Sequence, residues 1–469
     1  MTLKRFWDLI QLRNGYFLRA KLDGHQGPIN CLAFIGELEL LISGGDDECV
    51  HVWDLKTLSC IDTLTDSGGR WGQITCIIWI SGTHNGLLCL GTGRGRLVMF
   101  RRKRSHFVEV SDSQIFEAGS SIEAIKFDPN QQRLAIASHN GSVKMFRFNK
   151  EGNSPTPLIE LWTVNPSQAI PRSLHFLNSG EDLVTFHLES GETFYYDSQT
   201  AALKHSRTMK TPIGNVDLDE MEKNLVVDNI NTGFHIYPTG RSIPTYSLEV
   251  PTTRKHIRGV VFCENGLSVV GGSDHGKIYI FNLKAPQFNQ VMMQGSQTTL
   301  VQAIASQSFE ERHLIASGSS DNKSHICIWE KPTKRALQRR KREEERRGEL
   351  ALLFTLLVFN FALAITWKAW FPAFKSVRIY FSSAGKVAYQ YLLQEFKKLP
   401  SKFQNGIKDL SPVAPTMALT QSTGSNSKLA NDMETLEDRI LRKILQIPPH
   451  LAKQDNKLQI KDVLDLVLW

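Results

Sequence analysis

The stretch "GHQGPINCLAFIGELELLISGGDDECVHVWD", residues 24–54, decides the fold. It opens on Gly24-His25, passes through an alternating strand and enters a second strand that ends in Ser43-Gly44. It then turns on Asp46-Asp47-Glu48 and closes a third strand on Trp53-Asp54. Short apolar runs of period two, bounded by Gly, Asp and Ser clusters, read as strands joined by tight turns. The pattern recurs from Ile74, Ile122, Arg172, Gly214, Ile257 and Val301, making seven units over residues 24–330. A repeat of about 40 residues built from short strands is a unit that exposes an apolar face alone and buries it against its neighbours.

The units resemble WD40 repeats. The resemblance covers about two thirds of the chain, and the general likeness is to uncharacterised fungal WD40 proteins. It implies an all-β fold, a seven-bladed propeller with four strands to a blade. The seventh unit reaches Trp329 with no room for a fourth strand before KPTKRALQRRKR, whereas "GYFLRAKL", residues 15–22, is strand-like and precedes the first Gly-His. By the resemblance, that segment completes the last blade. His25, Ser43 and Asp47 have the composition of a catalytic triad. In WD40 blades the same residues, with Trp53, form a buried hydrogen-bonded tetrad, and this structural reading is the stronger one. The other units place Phe100, Phe146, Tyr196, Tyr237 and Phe281 at the Trp position and depend on packing.

Composition narrows the function classes. The formal charge of +8 is local, because residues 331–347 hold nine Lys or Arg against three Glu. A general nucleic-acid binder is therefore not expected. The seven cysteines lie at 31, 49, 60, 76, 89, 263 and 327 without CxxC spacing, and read as small core residues of a reducing compartment. "MTLKRFWDLIQLRNG" lacks the apolar run and cleavage site of a secretory signal. The glycines of "GTGRGRLVMF", from Gly91, fall between two strands and make a poor phosphate loop. No enzyme activity, cofactor or metal is expected, and a small-molecule ligand is not indicated.

Residues 350–367 carry no charge, and with Lys368 snorkelling the apolar stretch extends to Phe371. As a helix it measures roughly 33 Å, against a hydrocarbon core of about 30 Å. Trp367, Trp370 and Phe371 fall where an interfacial aromatic belt belongs. Residues 349–371 thus read as a single transmembrane helix, with a buried or re-entrant helix as the alternative. The basic residues before the span outnumber those after it, which places the propeller in the cytosol. The remaining divisions are an N-terminal segment at 1–14, the propeller at 15–330, a charged helical linker at 331–348, an amphipathic helix at 372–400, a flexible linker at 401–430 and short helices at 431–469.

The expected function is a membrane-anchored protein-interaction scaffold on the cytosolic face, on an unspecified endomembrane. Two alternatives rest on resemblance. One is a Sec12-like exchange factor for a small coat GTPase, although that family uses a loop projecting from a blade and "SGGDDE" is compact. The other is a ubiquitin-ligase substrate receptor, whose docking motif wants Arg where "WDLK" has Lys56. In WD40 propellers, partners commonly dock on the turns between second and third strands. Here these turns present Asp46, Arg94, His139, Glu189, Asn229, Asp274 and Ser320. On the opposite face the turn "RRKRS" presents Arg101, Arg102, Lys103 and Arg104 to a membrane surface, joined by the N-terminal "KRFWDLI".

Overall fold

The computed structural model describes residues 15–370 apart from 82–85, 105, 149–157, 167 and 322–323. The N-terminal segment 1–14 and the elements expected at 372–400, 401–430 and 431–469 lie outside the described residues. By its contacts the chain divides into Met1–Asn360 and Phe361–Trp469. The strands of the first unit form a ring. Seven antiparallel sheets of four strands follow one another, six of them consecutive in sequence. In the seventh, the strand Phe17–Asp23 lies outermost beside His325–Pro332, with Leu18 opposite Trp329 and Leu22 opposite Ile326.

Each blade repeats one pattern of burial. The second strands, such as Leu40–Gly45, Leu87–Thr92 and Arg133–Ser138, are buried at every residue, because both faces meet neighbouring blades. The fourth strands, such as Ser59–Thr65 and Leu203–Thr208, form the exposed rim. Two glycines show how closely the blades approach. A methyl group on Gly44 would lie 2.5 Å from Ile74 Cγ2, and one on Gly318 would lie 2.7 Å from Ile29 Cγ2. In both places the end of a second strand meets the start of the next blade's inner strand. The sheets therefore share one orientation around the ring. The end carrying the turns between second and third strands is called the top, and the other end the bottom.

The chain leaves the seventh blade at the bottom. Thr333 caps a helix that runs without interruption over Lys334–Trp370, its Oγ1 accepting a bond from Ala336 N at 3.2 Å. The expected linker and span are one helix. Its root is fastened to the bottom loop of blade seven, by Thr333 N to Glu311 O at 2.9 Å and by Arg335 to Glu310 and Arg339 to Glu311, both at 2.7 Å.

The basic hairpin of blade two differs from expectation. The third strand extends over Arg96–Lys103, so Arg101, Arg102 and Lys103 belong to a strand, and Arg104 alone of the four stands in the turn, with φ of 61°. The reason is pairing: a nine-residue outer strand, His106–Gln114, holds Lys103 opposite His106. Arg101, Lys103 and Arg104 are exposed, while Arg102 points to the other side and is half-buried.

Candidate interaction face

The seven residues expected at the top all lie at the ends of second strands or in the turns after them. Asp46, Arg94, His139 and Glu189 are exposed, and Ser320 is half-buried. Asn229 and Asp274 are buried, at 5% and 0% exposure, and so are not presented at the top as expected. Asn229 donates to Thr232 Oγ1 at 2.9 Å and packs against His235 Nε2 at 3.1 Å. Asp274 lies under the loop 252–258, where its carboxylate accepts bonds from Thr253 N and Oγ1, both 2.7 Å, from Arg254 N and from His275 Nδ1 at 2.8 Å. Burial alone would raise this carboxyl. The bonds from His275, Thr253 and Arg254 outweigh it and hold the group well below the usual carboxylate range.

Beneath the top turns a hoop of polar side chains runs from blade to blade around the axis. Gln302 donates to Asn30 Oδ1 at 3.0 Å, Asn30 to Ile74 O at 3.1 Å, and Thr75 to Ile122 O at 2.5 Å. Arg172 then bonds Glu123 at 2.7 Å and Asn215 at 3.3 Å, and Asn215 donates to Arg258 O at 2.8 Å. At the remaining junction Gly259 lies so close to blade seven that a methyl group would stand 2.6 Å from Gln302 O. The hoop also positions the surface. Glu123 holds exposed His139 at 2.8 Å, and Asn30 holds Asp46 at 2.7 Å. These residues do not stand out in the repeat pattern, yet they carry a signal, since each is a polar side chain beside the first apolar position of an inner strand.

In blade one, His25, Ser43, Asp47 and Trp53 form the tetrad. His25 Nε2 and Trp53 Nε1 both meet Ser43 Oγ at 2.8 Å, and His25 Nδ1 lies 2.9 Å from Asp47 Oδ2. His51 stands near enough that His25, Asp47 and His51 could in principle share a metal ion. Both ring nitrogens of His25 are already engaged within the tetrad, so these bonds would have to break first. Every group of the supposed triad is likewise spent on the others, and Ser43 is fully buried, which fits a structural brace and no nucleophile. Blade seven keeps half the device, with Trp329 Nε1 on Ser317 Oγ at 2.9 Å and Asp321 accepting from Thr299 at 2.7 Å. Lys56, at the position of the docking-motif arginine, pairs with Glu39 at 2.8 Å.

The profile of the WD domain, G-beta repeat, matches residues 17–54 and 112–147. Together with seven four-stranded blades and the braced tetrad, that match decides the family. The chain is a WD40-repeat propeller. It is 30% identical over 178 residues to the U3 small nucleolar RNA-associated protein 18 homolog of Arabidopsis thaliana, covering 36% of this chain and 30% of that protein. It is 24% identical over 178 residues to human Striatin-4, covering 38% and 18%. The chain thus spans less than a third of either relative. Relatives come from plants, fungi and animals, so the likeness is not particular to fungal proteins among those named. The crystal structure of Saccharomyces cerevisiae Sqt1 superposes with a TM-score of 0.53 at 14% identity, over 66% of this chain and 98% of that one, a likeness of fold.

One buried side chain is expected to make the ring sensitive to acid. His175, on the inner strand of blade four, is 4% exposed and donates Nε2–H to Val216 O at 3.1 Å. Burial, with Lys126 nearby, pushes its pKa down to about 3. A group depressed in the fold stabilises it above the unfolded pKa, and that stability is lost as pH falls. Between pH ~6.5 and ~3, His175 is expected to contribute a slope approaching 1.4 kcal/mol per pH unit. Denaturant melts of the parent and His175→Gln over this range should diverge by that slope; parallel curves would show that His175 is not held neutral.

Proposed function

We propose that the protein is a membrane-anchored scaffold, holding a propeller beside the cytosolic face of a membrane and offering its top turns to protein partners. The observation that carries the reading is the helix Lys334–Trp370. Among the described residues it is the one helix long and apolar enough to cross a membrane. None of its apolar residues from Leu350 to Ala364 with a described side chain is buried, and Phe354 and Phe359 are 69% and 60% exposed. A core helix of a soluble protein would be covered. So much uncovered apolar surface calls for lipid or protein. The top turns lie at the opposite end of the ring from the helix root, which leaves them free for partners, with Asp46, Arg94, His139, Glu189 and Ser320 as contacts. The protein-binding role accords with WD40 propellers in general.

The test is extraction of the full chain from cell membranes with alkaline carbonate. The parent should remain in the pellet, and a chain with Leu357→Arg and Phe361→Arg should move to the supernatant, each arginine costing about 3 kcal/mol at a span centre. A parent chain extracted as readily as the variant would refute anchoring. For orientation, the sequon asparagines Asn140 and Asn322 should stay unglycosylated, while a sequon engineered beyond residue 371 should be used. Proximity labelling from the propeller, repeated with Asp46, Arg94, His139 and Glu189 changed to Ser and Ser320 to Ala, should lose specific neighbours; an unchanged set would move the docking site elsewhere.

A further inference from the structure

Three apolar loop tips stand together on the bottom of blades five and six. Met221 is 69% exposed, Ile243 64% and Leu267 51%. Among the described residues of the propeller, these are the exposed large apolar side chains that lie outside strands. The others, such as Val108, Leu203 and Met293, belong to outer strands. Met221 lies between the first two strands of blade five, Ile243 between its last two, and Leu267 between the first two of blade six. All three connections are at the bottom.

The loops are joined to each other and to the root of the helix. Thr239 N bonds Lys223 O at 2.9 Å, linking the loops of Ile243 and Met221. Gly266 approaches Asp219, whose Cβ would lie 4.0 Å from an added methyl group. Lys331 Nζ bonds both carboxylate oxygens of Glu264, at 2.9 and 3.0 Å, and two residues later Thr333 caps the helix. Helix root, Leu267 loop and Met221 loop are therefore consecutive along one sector of the same face. Lys223, Arg241 and Lys284 are exposed around the tips, and Met221 stands between exposed Glu220 and half-buried Glu222, whose carboxylate accepts a bond from Asn178 N at 2.7 Å.

Loop tips in water favour small polar residues. Apolar tips with exposed cations beside them suit a bilayer interface, where the tip enters the acyl boundary and the cations meet phosphates. We propose that Met221, Ile243 and Leu267 insert into the headgroup boundary of an anionic leaflet and hold the propeller bottom-down. The inference rests on the anchoring reading and adds to it the face and residues that touch lipid. It also ranks the two candidate contacts. The Arg101–Arg104 hairpin lies two blades from the helix root on the other side and has charge without an apolar tip, so it is the auxiliary contact.

The experiment uses the full chain in phosphatidylcholine–phosphatidylserine vesicles, in a Cys60→Ser background because Cys60 is the exposed thiol of the seven. An environment-sensitive fluorophore is attached in turn at Met221→Cys, Ile243→Cys, Leu267→Cys, the top-face control Gln297→Cys and the helix control Phe359→Cys. The expected result is a blue shift, and loss of most of the emission to spin-labelled lipid, at the three tips and at 359, with neither at 297. Tips that emit as 297 does, while 359 is quenched, overturn the inference and leave anchoring standing. Quenching at the tips without quenching at 359 upholds the lipid contact and refutes the span. Water-like emission at all five positions overturns both.

Discussion

A chain that starts at Gly24 is expected not to form a closed ring. Phe17–Asp23 supplies the outer strand of blade seven, and its six paired positions, from Phe17 opposite Glu330 to Asp23 opposite His325, join residues about 300 apart in sequence. Leu22 is 4% exposed in the core shared with Ile29 and Trp53, and Tyr16, 2% exposed, anchors the entry through Gln290, which bonds Tyr16 N at 2.7 Å and Tyr16 O at 2.5 Å. Arg19 adds an ion pair with Glu330 at 2.9 Å. Removal uncovers the edge of His325–Pro332 and forfeits two buried apolar side chains at ~2 kcal/mol each, with several bonds at ~1 kcal/mol. That total is of the order of a domain's whole stability, about 5–15 kcal/mol. Thermal unfolding of the truncated chain should begin tens of degrees lower or be absent, with protease cleavage spreading from blade seven. An unchanged melting temperature would mean that the strand is dispensable.

The closing strand was legible because period-two patterning and a missing fourth strand point to the same answer. The seven blades were legible for the same reason, since Gly and Asp turns between apolar runs fix where each hairpin reverses. Burial at the top was not legible. Asp274 and Asp46 are both turn acids in sequence, and they part only because the loop 252–258 folds over one of them. The "RRKRS" segment read as a turn because four cations are poor strand formers, yet a long partner strand kept three of them paired. The linker and span read as two elements because their composition changes at Gly348. The backbone sees no such boundary, and i,i+4 pairs such as Arg339 with Glu343 at 3.2 Å support the helix through the charged half.

Arg258 is hard to single out in sequence, and its loss should be costly. In "TTRKHIR" it is one cation among several, yet it is 0% exposed and meets the equally buried Asp228 of the neighbouring blade, Nη2 to Oδ1 at 2.7 Å and Nε to Oδ1 at 3.0 Å. Its guanidinium also bonds Thr252 Oγ1 at 3.0 Å, Gly233 O at 3.2 Å and Asn229 O at 3.3 Å, and stacks over Phe234 at 5.1 Å. Blades five and six lack the tetrad of blade one, and this pair braces one blade against the other. Removing one partner strands the other charge in the core, so Arg258→Met is expected to destabilise the propeller by about 3–5 kcal/mol. Arg258→Met with Asp228→Leu should recover much of that loss, because no lone charge remains. The pH dependence carries a second signature. Burial pushes the Asp228 carboxyl up to about 6 against the pull of Arg258, so it is ionised at neutral pH. A raised pKa stabilises the fold below the unfolded value near 3.9, and that stability is lost as pH rises through the folded value. Without Arg258 the carboxyl rises further and the loss at pH 7 grows. The gap between parent and Arg258→Met should therefore narrow as pH falls from 7 to 5, while the gap between parent and the double variant changes less. Chemical denaturation of the three proteins at both pH values measures it, and a gap independent of pH would show that the stranded carboxylate is not the cause.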